Sequence, residues 1–212
     1  MKQKLLQLIL IIISLVLISI LVLFALLHTR YITPLSQWVV DHTLSEKVTF
    51  EKVSYQYPLH FQFHTIYIDQ EKPPINNIDV WINERIIEDH RLALDSLLID
   101  GLVINPSFTQ PALFKYIRLH QLALKNLSYS TDAFQAQEID IQIREPRWLS
   151  DKQIIPYGDI QLYVAHSTAY NQQLEALLID GRFDRDTSKI RGLSFKWQHG
   201  AVSLRAEQQV GS

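Results

Sequence analysis

Eight histidines are the first residues with chemistry to offer. His60 and His64 stand at i and i+4, a spacing that on a helix would bring two imidazoles together as a metal-binding pair. They lie instead in the alternating run His60-Phe61-Gln62-Phe63-His64. In a strand that spacing keeps them on one face but about 13 Å apart, too far to share one ion. His28, His42, His90, His120, His166 and His199 are scattered, and surface or hydrogen-bonding roles are expected for them. Glu84, Glu88, Asp89, Asp100 and Asp180 are a candidate acid–base set. Asp100 and Asp180 each precede glycine, however, and a turn in which Asp bonds its own backbone is the simpler explanation. Ser167 and Thr168 follow His166, but adjacency does not aim a base at a hydroxyl. Among six glycines there is no Gly-x-Ser-x-Gly elbow and no phosphate-binding loop. Cysteine is absent, which excludes disulfides, thiolate metal sites and cysteine nucleophiles. Asn126-Leu127-Ser128 matches a glycosylation sequon and is read as incidental. No catalytic residue, cofactor or metal is predicted, and the chain reads as a non-enzyme.

The aromatic and branched apolar residues are more informative. Phe50, Tyr55, Tyr57, Phe61, Phe63, Tyr67 and Trp81 fall in stretches with strand patterning. They suit the core of a sandwich or curved sheet. They also suit an open concave sheet whose apolar face holds an acyl chain, because both arrangements need one apolar face. On the second reading Phe50, Phe61, Phe63, Ile66 and Ile68 are the candidate lipid-facing residues.

These side chains need elements to carry them. The chain has 212 residues, 47% of them apolar, with a net charge of −2. Those are globular values, and the acidic balance argues against nucleic acid as a partner. Leu5 to Leu27 carries no charge and is long enough for a transmembrane helix. Lys2 and Lys4 before it favour a cytoplasmic amino terminus. This predicts a tip and anchor over residues 1–30, a β-rich periplasmic domain with a short leading helix over 31–207, and a polar tail over 208–212. The leading helix is expected from Thr33 as cap and Pro34 at the first turn, running to Lys47. Leu35, Trp38, Val39 and His42 recur at helical spacing, and Trp38 is expected either at the membrane interface or packed on the following sheet.

Beyond Lys47 the apolar period becomes twofold. Strands are expected near 48–57, 59–68, 78–82, 92–103, 134–143, 159–164, 173–179, 192–197 and 201–206. A solvated turn or helical link is expected over Asn83 to Arg91, and a short helix within Asn105 to Arg118. Leu-Leu-Ile-Asp-Gly occurs at Leu97 to Gly101 and again at Leu177 to Gly181, and LALDSL at Leu92 to Leu97 has a looser partner in LALKNL at Leu122 to Leu127. A bulge or bend repeated along a sheet would explain it. The last strands are expected to leave an open edge, which implies either a partner's edge or further sequence downstream. The predicted fold is mostly β, an antiparallel curved sheet or open sandwich behind one amino-terminal transmembrane helix.

The order of these features resembles the amino-terminal part of the AsmA-like family of bacterial envelope proteins. The likeness rests on the anchor, on RYITPLSQWVVDHTLSEKV, on VTFEKVSYQYPLHFQFHTIYID and on LALDSLLIDGLVI, and covers residues 1–105 best. It implies a single-pass protein of the bacterial inner membrane with its carboxyl-terminal domain in the periplasm. It also implies help with lipid transport or outer-membrane assembly along an apolar sheet face, with a phospholipid or other acyl-chain ligand and an envelope protein as partners. The alternative is a structural or scaffolding subunit of an envelope complex that pairs through an exposed edge strand.

Overall fold

The computed structural model describes residues 15–19, 21–22, 25–26, 28–43, 47–68, 73–104, 116–131, 134–148, 156–169, 172–197 and 200–209. These contain helix α1 (Ile32–Thr43) and eleven strands. The strands are β1 (Val48–Gln56), β2 (His60–Ile68), β3 (Ile75–Glu88), β4 (Arg91–Asp100), β5 (Val103–Ile104) and β6 (Ile117–Ser130). They continue with β7 (Phe134–Arg147), β8 (Tyr157–Ala169), β9 (Gln172–Phe183), β10 (Thr187–Trp197) and β11 (Gly200–Gln209). All join one sheet in the order β1-β2-β3-β4-β6-β7-β8-β9-β10-β11, and β5 carries the line of β4 onward along β6. Neighbours are antiparallel except β4 and β5 against β6. The short helix expected within 105–118 lies largely outside the described residues, but Ile117 and Arg118 are strand, not helix.

Register explains the fold. Following the paired residues across the sheet, one line reads Val53, Phe63, Ile78, Ile99, Leu124, Ile141, Leu162, Ile179, Leu193, Leu204. The line two residues along reads Tyr55, Phe61, Val80, Leu97, Leu122, Ile143, Ile160, Gly181, Ile190, Ala206. Between them lies Ser54, Gln62, Asp79, Leu98, Ala123, Gln142, Gln161, Asp180, Gly192. Period-two alternation in every strand, held in register, therefore makes one face apolar and the other mainly polar. Leu122, Ile143 and Ile160 in the middle of the apolar face are buried. A sheet that bends toward that face would shield them in this way.

The means of curling is visible in the backbone. Thr65, Asn126, Glu138, Glu145 and Ala176 have φ near +50° inside strands, and Gly101 has φ +81°. Asn126, Glu138, Glu145 and Ala176 coincide with register shifts, the mark of β-bulges, which bend and twist a sheet. Gly101 follows Asp100, which pairs with Lys125, so its bend adjoins that of Asn126. The repeated phrase thus does mark bends at Gly101 and Asn126. Gly181 keeps an ordinary φ and serves differently. A Cβ there would lie 2.9 Å from the Lys189 carbonyl oxygen and 2.9 Å from the Phe183 ring.

Three local expectations are corrected. Asn83 to Arg91 is neither link nor helix: β3 runs to Glu88, and Asp89 and His90, both at positive φ, form a two-residue hairpin turn into β4. The charges there lie on exposed strand surface. β6 runs parallel to both β4 and β5 where an antiparallel sheet was expected. And α1 turns its apolar stripe outward: Trp38 is 59% exposed, with Leu35 and Val39 also exposed. The side chains that meet the sheet are Ile32, Thr33 and Gln37.

The membrane-anchored part of the fold prediction is overturned. Residues 15–19, 21–22 and 25–26 are helical, but no helix among the described residues is long and apolar enough to cross a membrane. A crossing needs about 20 consecutive residues in one helix. Residues 5–14, 20, 23–24 and 27 of the uncharged run lie outside the described residues. The single-pass inner-membrane location, the periplasmic placement and the membrane partner built on that helix are withdrawn, as is the lipid-transport role. The polar tail, in its last three residues, is outside the described set as well.

Candidate functional site

The two outer strands of the sheet end very differently. β1 is closed by α1. Thr33 Oγ1 accepts from the Val53 N–H at 3.1 Å and donates to the Val53 carbonyl at 3.5 Å. Gln37 Nε2 donates to the Val48 carbonyl at 2.8 Å. Side chains of the helix thereby take up backbone groups that an edge strand otherwise offers to another chain. β11 has β10 on one side and no strand on the other among the described residues. Its sequence GAVSLRAEQQ contains neither proline nor lysine, two common guards of an edge. The apolar lines run right out to it. Leu204 ends its line 52% exposed and Val202 is 42% exposed, whereas Val53 at the α1 end of the same line is buried. The apolar face is finished at one edge and unfinished at the other.

Beside β11 lies an open hollow of about 440 Å³, whose border includes Leu178, Leu193, Ser194, Ser203, Leu204 and Arg205. Gly192 leaves it room, since an added Cβ there would meet nothing within 4 Å. Arg205 has no ion-pair partner among the described residues. Arg191 is fully engaged: it donates to Asp180 at 2.6 Å and also to Asp159. That guanidinium, hydrogen-bonded to the Asp180 carboxylate, holds the carboxyl below its usual range, and Arg191 is in turn held more firmly protonated.

The candidate acid–base residues do not converge: Glu84 is exposed on β3, Asp89 lies in the β3–β4 turn, and the other three are held in structural pairs. Asp180 is a mid-strand ion-pair partner, not the turn residue expected. Asp100 accepts from Asn126 Nδ2 at 2.6 Å, bracing the bend. Glu88 meets His120 Nε2 at 3.1 Å while Glu145 meets Nδ1 at 3.2 Å. His120 sits between its two carboxylates, so the three do not converge on a point. The bond to Glu145 raises its pKa above the ordinary histidine value, against the opposing effect of burial and with help from Glu88. His60 is bonded to Asp79 at 2.9 Å and stacked on Trp81, and His64 is bonded to Asn77. No group of three or more metal-ligating side chains among the described residues is placed to hold an ion.

The candidate lipid-facing residues gather at the opposite end of the sheet from β11. Phe50 and Phe63 meet edge to face with centroids 5.3 Å apart, and Phe61 lies 5.1 Å from Tyr55. Ile66 is buried between Phe50 and Ile75, and Ile68 is exposed at the end of β2. They finish the face where α1 closes it. Thr33, expected from sequence as the cap of the leading helix, lies instead inside α1, which begins at Ile32, and its hydroxyl bonds the β1 backbone. Gln37, Val202 and Leu204 were not singled out from sequence. The last two carried a signal, the alternation of their strand; Gln37 carried none, since its partner is a distant backbone group. Comparison with protein-family models, curated proteins and solved structures finds no match for this chain.

Proposed function

We propose that this chain is a non-enzymatic scaffold: an open, one-sided β-sheet that joins an assembly by accepting a strand on the free edge of β11. The observation that supports it is the asymmetry of the edges. One is bonded to α1 through Thr33 and Gln37 at Val53 and Val48, while the other presents a ten-residue strand without proline or lysine, its charges limited to Arg205 and Glu207, at the rim of an apolar face whose Val202 and Leu204 are exposed. Strand addition uses both features at once: main-chain hydrogen bonds give affinity, and alternate side chains extend the two faces. The same open, curled sheet supports the AsmA-like resemblance as a proposal about fold alone.

Site-specific photo-cross-linking in the full chain tests it. A photoreactive residue at Ser203 or Arg205 should give a discrete adduct, lost when Leu204→Lys places a charge on the apolar side of the edge. The control position is Tyr57, in the β1–β2 turn. Absence of an adduct on β11, or the same adducts from Tyr57, overturns the proposal.

A further inference from the structure

Resting on that reading, we infer that the strand accepted by β11 is β11 of a second copy, paired antiparallel about a two-fold axis through Leu204. The first argument is which edges are free. Copies of one chain can join β11 to β1, which would propagate into a filament, or β11 to β11, which closes after two. α1 occupies the outer side of β1 through Thr33 and Gln37, so only the closed arrangement is available.

The second argument is self-complementarity. A two-fold axis through any one residue pairs like face with like face, because side chains alternate with period two. Centred on Arg205, the pairing sets two guanidiniums directly opposite each other, which destabilises. Centred on Ser203, it overlaps only residues 200–206. Centred on Leu204, it overlaps residues 200–208. It then sets Leu204 against its mate, Val202 against Ala206, and Arg205 against Ser203, with no arginine facing another. The apolar line that runs from Val53 to Leu204 continues through Leu204 of the mate and out to its Val53. The result is one sheet of doubled width with a helix closing each end, and the exposed Val202 and Leu204 covered.

The absence of native cysteine makes the register readable. In a directly opposed antiparallel pair the Cα atoms are about 4.5–5.5 Å apart, within disulfide range. Leu204→Cys should therefore form a disulfide-linked dimer under mild oxidation. Val202→Cys should not link to itself, since its own mate is four residues out of register, about 13 Å along the strand. Mixed Val202→Cys and Ala206→Cys chains should link. Sedimentation of the unmodified chain should show monomer passing to dimer, and no further, as concentration rises. Monomer at every concentration, or equal linking of Val202→Cys and Leu204→Cys, overturns the inference. A monomer whose β11 still yields photo-adducts to a different protein leaves the scaffold reading standing and removes only self-pairing. A monomer without such adducts removes both.

Discussion

Replacing Ile143 by alanine tests whether the curled apolar face is a true core. Ile143 is 1% exposed, on β7, near the centre of the sheet. Its cross-strand neighbours Leu122 and Ile160 are themselves buried. Burying an isoleucine side chain is worth about 1.5–3 kcal/mol by transfer. The vacated volume adds a cavity contribution, since strands held on both sides relax only in part, and measured isoleucine-to-alanine costs run about 2–5 kcal/mol. A loss of about 3–4 kcal/mol is expected, a large share of the roughly 5–15 kcal/mol that holds a domain folded. Urea denaturation followed by tryptophan fluorescence measures it, because Trp148 packs against this core. The midpoint should fall with the slope unchanged. Leu204→Ala, made at the exposed end of a neighbouring line and measured in dilute monomer, should cost about 0.5 kcal/mol or less. A loss below about 1 kcal/mol at Ile143, or equal losses at the two sites, would mean that the centre of the face is not packed, and the account of curling fails.

Gly181→Ala should destabilise by about 1–3 kcal/mol through overpacking, because the new methyl meets the Lys189 carbonyl as well as Phe183; the urea midpoint reports it. Ala176→Gly should leave stability unchanged or raise it by up to about 1 kcal/mol, since φ is +50° there and the left-handed region costs an L-residue about 1–2 kcal/mol; a loss above 1 kcal/mol would argue against a bulge at that site. His120 titrates higher in the folded chain than unfolded, so its pairing with Glu145 and Glu88 stabilises fully below the unfolded value and fades as pH rises through the folded one. Wild type should therefore exceed His120→Gln in stability at pH 5.5, with the difference shrinking by pH 8.5; urea titrations across that range check the sign, and a widening gap would refute it. Asp180 is shifted the other way, so the contribution of its pairing with Arg191 should be present above the ordinary aspartate range and be lost as pH falls through the lowered value; acid titration of wild type against Asp180→Asn shows whether that loss occurs.

Twofold alternation made the sheet legible, because a side chain's face follows from its parity once a strand is recognised. The strand starting at Phe134 and the pairs around Phe61 and Phe63 were readable for that reason. The rule gives way wherever one residue turns left-handed, for parity reverses there while composition does not. Asn126 announces such a position, since asparagine tolerates positive φ, but Glu138 and Ala176 do not. A charge-rich run such as Asn83 to Glu88 also hides a strand, because exposed strand and solvated turn have the same composition. The uncharged run at the amino terminus shows the opposite hazard: hydropathy alone fits a spanning helix, yet hydropathy does not establish that one continuous helix forms.

The candidate site shows where local reading stops for a deeper reason. Among the described residues β11 has β10 on one side and no strand on the other, since each strand from β6 onward pairs with the one before it. That β1 does not remain a second open edge is decided by two side chains on a helix whose apolar stripe faces away from the sheet. Amphipathic patterning assigns Leu35, Trp38 and Val39 to the contact. The geometry assigns it to Thr33 and Gln37 with the buried Ile32, because an edge strand asks its neighbour for hydrogen bonds as well as for apolar area. The character of the contact is thus set by what the sheet lacks at that border. The same reasoning supports the proposal for β11: among the described residues no strand lies beyond it and Val202 and Leu204 are exposed, and an added strand would supply backbone bonds and apolar cover together.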